Sequence, residues 1–193
     1  TPSNSSAASD VYKRQALNSY IKFLCMGLLM LIPAISVIFP IMINESYADA
    51  KQLVPYYLLA TIVSCISSFF GNIFTAIKKN NVLFYTTVAG SVVNVVSVHL
   101  LLPIVGVQGA SIALFLGFMV NNMIRAYLLK KEIQVSIDLK FIVAWAIVYI
   151  GVSYIYLHAN AIINVLTVFV GGLLTLFVFR KELKEILGTI KNR

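Results

Sequence analysis

The sequence predicts an all-α integral membrane fold of six transmembrane helices, and three observations predict it. The first is composition. Hydrophobic residues make up 60% and charged residues 11% of the chain, with a mean hydropathy of +0.89. A soluble domain carries about 25% charged residues, so this chain has too little charge to coat a globule in water. The second is the presence of six apolar runs of about 17–25 residues, each long enough to cross a hydrocarbon core of about 30 Å. The third is the placement of Lys and Arg, which fall almost wholly in alternate connections between those runs.

Along the chain the basic groups are Lys13, Arg14 and Lys22; Lys51 alone; Lys78 and Lys79; Arg125, Lys130, Lys131 and Lys140; then Arg180, Lys181, Lys184, Lys191 and Arg193. Fourteen of the 15 lie on one side of the predicted topology. This is the positive-inside pattern, so both ends are expected in the cytoplasm of a bacterial inner or plasma membrane. The net charge of +8 forms no stripe on one amphipathic element, which argues against nucleic acid. The anionic lipids of the cytoplasmic leaflet are its natural partner.

Residues 1–15 are polar, rich in Ser and Ala, and out of register with the apolar runs. The stretch SSAASDVYKRQ resembles adaptor-derived sequence, and the first Met is Met26, inside a span. Residues 1–15 are therefore expected to be a non-native or disordered leader, and the chain is expected to be a fragment of a longer protein. Without Lys13 and Arg14 the charge asymmetry is still twelve to one.

The first span covers about residues 23–43, with Pro33 expected to kink it and free a carbonyl one turn back. NESYADAKQ is the outer loop. The second span covers about 53–77, with Pro55 in its first turn, where a missing donor costs little. KKNN makes a tight cytoplasmic turn. The third span covers about 82–102 and is expected to end at Pro103 and Gly106. The fourth covers about 107–129, followed by the linker KKEIQVSIDLK. The fifth covers about 139–157, HAN is the turn, and the sixth covers about 161–179. Residues 180–193 form a basic cytoplasmic tail. No connection is long enough to be a soluble domain, so function is expected within the bundle or in chain beyond it.

Polar and small residues mark faces that do not meet lipid. In the second span Thr61, Ser64, Cys65, Ser68, Gly71, Asn72 and Thr75 share a stripe. The third carries Thr87, Gly90, Ser91, Asn94 and Ser97. In the fourth, Gly109, Ala113, Gly117 and Asn121 recur every fourth residue. The sixth carries Asn164, Thr167, Gly171 and Thr175. Small residues let membrane helices approach closely, so Pro33, Gly90, Pro103, Gly106, Gly109, Ala113 and Gly117 are packing or hinge positions. Ser68, Asn72, Thr75, Ser91, Asn94, His99 and Asn121 are candidate cavity-lining residues, because an amide or imidazole in lipid needs either a neighbouring helix or a watery cavity. Arg125, about one turn inside its span, either snorkels to the surface or points inward at a phosphate. Lys22 either anchors to the leaflet or contacts an anionic headgroup. Cys25 and Cys65 are small apolar packing residues without metal spacing, and no cofactor or metal is expected.

The run GSVVNVVSVHLLLPIVGVQGASIAL (residues 90–114) resembles a signature of the polysaccharide-exporter branch of the multidrug/oligosaccharidyl-lipid/polysaccharide flippase superfamily. Asn94, Pro103, Gly106, Gly109 and Ala110 carry it. ESYADA (45–50) and GNIFTAIKKNN (71–81) flank it as in that pattern. The resemblance implies a two-lobed, MATE-like bundle with this chain as its C-terminal part. It implies an O-antigen-type flippase that carries undecaprenyl-diphosphate-linked oligosaccharide by alternating access. It also implies the N-terminal part of the same protein, and other polysaccharide-assembly membrane proteins, as partners. Arg125 and Lys22 come from charge and depth and not from the resemblance.

A cation-coupled multidrug exporter of the same superfamily is the alternative, although none of the 7 acidic residues lies mid-span. A membrane enzyme or an assembly subunit of polysaccharide biosynthesis is the reading from another class. Enzymatic chemistry wants acids, bases or a metal at the membrane surface. Glu45 and Asp49, four apart on one loop, have nothing to pair with, so no enzyme is expected.

Overall fold

The computed structural model describes residues 2–130 and 137–180, with side chains from Gln15 onward except that of Glu45. Its elements are α1 (Pro2–Met42), a 3₁₀ segment (Glu45–Leu53), α2 (Val54–Ala76), α3 (Asn80–Val105), α4 (Gln108–Leu129), α5 (Leu139–His158) and α6 (Ala161–Val178). No strand occurs among the described residues. Six helices are long and apolar enough to cross a membrane: Gln15–Met42, Ser46–Ala76, Asn80–Val105, Gln108–Leu129, Leu139–His158 and Ala161–Val178. The described residues form an all-helical structure whose six apolar helices fit a multi-pass membrane protein. Large apolar side chains such as Phe84, Val95 and Leu100 on α3, and Phe169, Leu173 and Phe177 on α6, are exposed. Such surfaces are costly in water but suit a lipid solvent.

Three boundaries differ from the sequence expectation. The first helix begins at Pro2, within the expected leader, and not at residue 23. No Gly or Pro interrupts residues 3–26, and once the apolar run is helical, each residue added at its N-terminus gains a hydrogen bond without a new nucleation cost. The outer loop forms a 3₁₀ segment that runs to Leu53, opened by Asn44, whose Oδ1 accepts the Ser46 N–H at 3.0 Å. Finally, Pro103 does not end α3. It sits in the last turn, and α3 stops at Gly106, which takes φ +65° while its N–H bonds Leu102 O at 3.0 Å. Part of the linker (131–136) and nearly all of the expected tail (181–193) lie outside the described residues.

The chain divides into two compact units, residues 1–22 with 52–141, and 23–51 with 142–193. In the first, α4 packs against both α2 and α3. Its buried face is Gly109, Ala113, Gly117, Asn121, Arg125 and Leu129, a strict four-residue stripe. The turn from α2 to α3 closes as a Schellman motif. Lys79 N–H bonds Phe74 O at 2.9 Å and Lys78 N–H bonds Thr75 O at 3.0 Å, with Lys78 at φ +59° in the position usually held by glycine. The N-terminal part of α1 adds buried Leu17 and Ile21, and the Tyr20 ring stacks on Phe69 at 5.1 Å. Asp138 caps α5, its Oδ1 accepting the Phe141 N–H at 3.2 Å.

In the second unit the latter part of α1 contributes buried Cys25, Leu28, Leu29 and Ile32. Trp145 Nε1 donates to Cys25 O at 2.8 Å. Pro33 has no N–H for the Leu29 carbonyl, and that oxygen faces Gly171 of α6, where a Cβ would lie 3.6 Å away. The carbonyl expected to be freed by Pro33 therefore meets the barest position of a neighbouring helix.

Candidate functional site

Arg125 is the most unusual side chain of the described residues. It lies on α4, inside a segment apolar enough to span a membrane, yet it is only 6% exposed. It does not snorkel outward. Its guanidinium is held by neutral groups from two other helices. Nη1 donates to Ser67 O at 2.7 Å and Ser67 Oγ at 2.9 Å on α2. Nε donates to Thr86 Oγ1 at 3.0 Å and Nη2 to Thr87 Oγ1 at 3.1 Å on α3. Four of the five N–H groups of an arginine thus have partners, and none of those partners is a carboxylate. Among the described residues the charge is solvated by dipoles and meets no neutralising carboxylate. Gly71 makes room for it: a Cβ there would lie 3.4 Å from Nη1.

One turn along α4 the helices nearly touch. A Cβ at Gly90 would lie 2.8 Å from Gly117 O and 3.1 Å from the Asn121 Cβ. A Cβ at Gly117 would lie 2.8 Å from Gly90 O and 2.9 Å from the Asn94 Cβ. The two antiparallel helices therefore present the same Gly-x-x-x-Asn pattern to each other, each glycine facing the partner's glycine and asparagine. A groove of about 70 Å³ runs along this crossing, with Thr87, Ser91, Asn94 and Asn121 as its polar wall and Leu114 and Phe118 as its apolar one. The Oδ1 atoms of Asn94 and Asn121 are buried without a hydrogen-bond partner, and Asn121 is only 5% exposed. Unpaired buried amides of this kind cost stability.

Thr87 links the two features. Its Oγ1 accepts from Arg125, and it also lines the groove. A hydroxyl that accepts from a cation is a better donor to the next group. The groove thus offers the hydroxyls of Thr87 and Ser91, the first polarised by Arg125, beside a fixed positive charge.

The other expected site residues divide differently. Ser91, Asn94 and Asn121 come together in the groove. Ser68, Asn72 and Thr75 do not reach it; they are exposed on α2. Two of their hydroxyls close onto their own helix, Ser68 Oγ to Ser64 O at 3.1 Å and Thr75 Oγ1 to Gly71 O at 3.1 Å. His99 is exposed on α3 and is not part of the groove wall. Lys22 is not gathered with Arg125; its Nζ lies 5.6 Å from the centroid of the Phe141 ring. Gly109 packs on Leu101, where a Cβ would meet the backbone at 2.8 Å, and Ala113 is fully buried. Cys25 and Cys65 are free thiols.

Sequence reasoning missed Ser67 and Thr86, the acceptors that hold Arg125. The signal available was Arg125 itself: an arginine inside a span needs acceptors on facing helices, and Ser67 and Gly71 lie one turn apart on one face of α2. Among the described residues no three His, Cys, Asp or Glu side chains gather as metal ligands. The chain matches no protein-family model, no curated protein and no solved structure.

Proposed function

We propose that this chain is part of a bacterial cytoplasmic-membrane flippase that moves an undecaprenyl-diphosphate-linked oligosaccharide by alternating access, as the C-terminal part of a MATE-like bundle. The observation that carries the reading is Arg125. A guanidinium buried within a span, hydrogen-bonded but without a carboxylate partner among the described residues, is a functional group by default. It supplies positive potential for a phosphate-bearing headgroup. The adjoining wall of Thr87, Ser91, Asn94 and Asn121 is polar and uncharged, which suits sugar hydroxyls that must be released again. The resemblance of residues 90–114 to polysaccharide exporters supports the same substrate class. A protein groove that replaces water around the headgroup lowers the cost of crossing hydrocarbon, while the lipid tail stays in the bilayer.

The test is genetic and biochemical together. The complete protein encoded by the gene is expressed in a strain lacking its polysaccharide flippase. Surface polysaccharide and accumulated lipid-linked oligosaccharide are then measured. Rescue by the wild type and loss in Arg125→Ala and Asn94→Leu are expected. Failure to rescue across several polysaccharide types, combined with gained resistance to cationic dyes, would replace this reading with that of a drug exporter.

A further inference from the structure

The second unit contains a separate cavity that the flippase reading does not use. It holds about 360 Å³, within the ~300–1,000 Å³ range of ligand pockets. It lies between the end of α1, the 3₁₀ segment and the α5–α6 turn. Phe39, Pro40 and Ile43 form its apolar wall, and Ser36, Asn44 and Lys51 are its polar groups.

The polar groups are mainly donors. Asn44 Oδ1 accepts the Ser46 N–H, and its amide NH₂ adds two donors. Ser36 contributes a hydroxyl whose proton points to Tyr156 O across a long 3.5 Å contact, so it can turn to a stronger acceptor. Lys51 contributes an ammonium. Its Nζ rests 5.3 Å from the centroid of the Tyr156 ring, and Tyr156 is 0% exposed, so the cation sits over a fixed aromatic face. A ring face attracts a cation but does not neutralise it. Asp49, the nearby acid with a described side chain, is exposed and does not line the cavity. The sequence adds an independent mark: Lys51 is the one basic residue in the connections opposite the cytoplasmic ones, against the charge pattern of the rest of the chain. A leaflet anchor would not need a cavity at its side.

We infer that this cavity is a binding site for a phosphate-class anion, with Lys51 as its cation and Asn44 and Ser36 as supporting donors. The apolar wall of Phe39, Pro40 and Ile43 gives room for the hydrocarbon next to a lipid phosphate. A soluble phosphate ester presents the same anionic group, so the two sources are separated by experiment. The inference is independent of Arg125 and of the transported substrate.

The test uses the purified chain in phosphatidylcholine nanodiscs, with thermal unfolding followed by the fluorescence of Trp145, which lies in this unit. One arm adds phosphatidylglycerol to the disc; the other adds glycerol 3-phosphate to the buffer. Wild type should be stabilised in at least one arm. Lys51→Gln should bind roughly tenfold more weakly, because a charge-assisted hydrogen bond is lost. Ala161→Phe, which fills the cavity from an exposed position and keeps Lys51, should do the same. Lys140→Gln, which removes an exposed charge away from the cavity, should respond like wild type. A response to phosphatidylglycerol alone assigns the site to a membrane lipid, and a response to glycerol 3-phosphate assigns it to a free phosphate ester. The inference is overturned if wild type responds in neither arm, if both cavity variants respond like wild type, or if Lys140→Gln loses the response equally.

Discussion

Gly90 of α3 and Gly117 of α4 face each other so closely that a Cβ on either would lie 2.8 Å from the other's carbonyl oxygen. The obstacle on each side is backbone, which cannot rotate away as a side chain can. The crossing is therefore a fixed point of the first unit, and it sets the height at which Asn94 and Asn121 meet the groove.

Substitution at this crossing should separate the helices. Gly117→Leu is expected to cost about 1–3 kcal/mol, the range for overpacking a close contact, and Gly90→Ala somewhat less. Thermal unfolding in detergent, followed by circular dichroism, measures it. An unchanged midpoint in Gly117→Leu would show that α3 and α4 do not meet through these glycines.

Arg125 should not tolerate lysine. The planar fork reaches Ser67 on α2 and Thr86 and Thr87 on α3 together, whereas an ammonium is a compact point charge with three donors. Arg125→Lys keeps the charge but is expected to lose about 1.5–3 kcal/mol, the worth of one charged hydrogen bond. Arg125→Met removes the buried charge and fills much of the same space. If Arg125 serves the substrate, Arg125→Met should be the more stable of the two yet abolish rescue in the complete protein. If its role is packing alone, Arg125→Met should rescue.

Lys78 closes α2 in the left-handed region at φ +59°, where a side chain costs roughly 1–2 kcal/mol that glycine avoids. Lys78→Gly should raise the unfolding midpoint while leaving Lys79 as the basic residue of the turn. A fall in the midpoint would mean that the Lys78 side chain contributes more than its backbone strain removes.

Features that depend on period and chemistry are legible in the sequence. Gly109, Ala113, Gly117 and Asn121 recur every fourth residue and form the buried face of α4. Ser91 and Asn94, one turn apart, share the groove wall with Asn121. The stripe on α2 misleads by one residue: it favours Ser68, and its neighbour Ser67 is the one that faces Arg125. Periodicity ranks faces of one helix, but the position of a partner on another helix decides which serine is used. The cavity at Lys51 is not legible, because it exists only when NESYADAKQ winds into a 3₁₀ segment against Ser36 and Phe39. Pro103 reads as a stop because proline usually is one. In the last turn it removes one helical donor, that for the His99 carbonyl, and the break passes to Gly106.

Gly171 offers a test confined to the second unit. A Cβ there would lie 3.3 Å from Met30 Cγ and 3.6 Å from the Leu29 oxygen that Pro33 leaves without its helical donor. Thr175, one turn on, donates to Gly171 O at 2.8 Å and touches Met30 Sδ at 3.6 Å. Gly171→Ala asks only a flexible methionine to yield a few tenths of an ångström, so it should be nearly neutral. Gly171→Leu must displace Met30 and push α6 from the freed carbonyl, at an expected cost of about 1–3 kcal/mol. Trp145, the single tryptophan of the chain, reports on it directly, because its indole N–H is bonded to Cys25 O in the same unit. Gly171→Leu should therefore lower the midpoint of the Trp145 fluorescence transition. Equal midpoints for Gly171→Leu and wild type would mean that α6 does not pack on Leu29 and Met30 at this glycine.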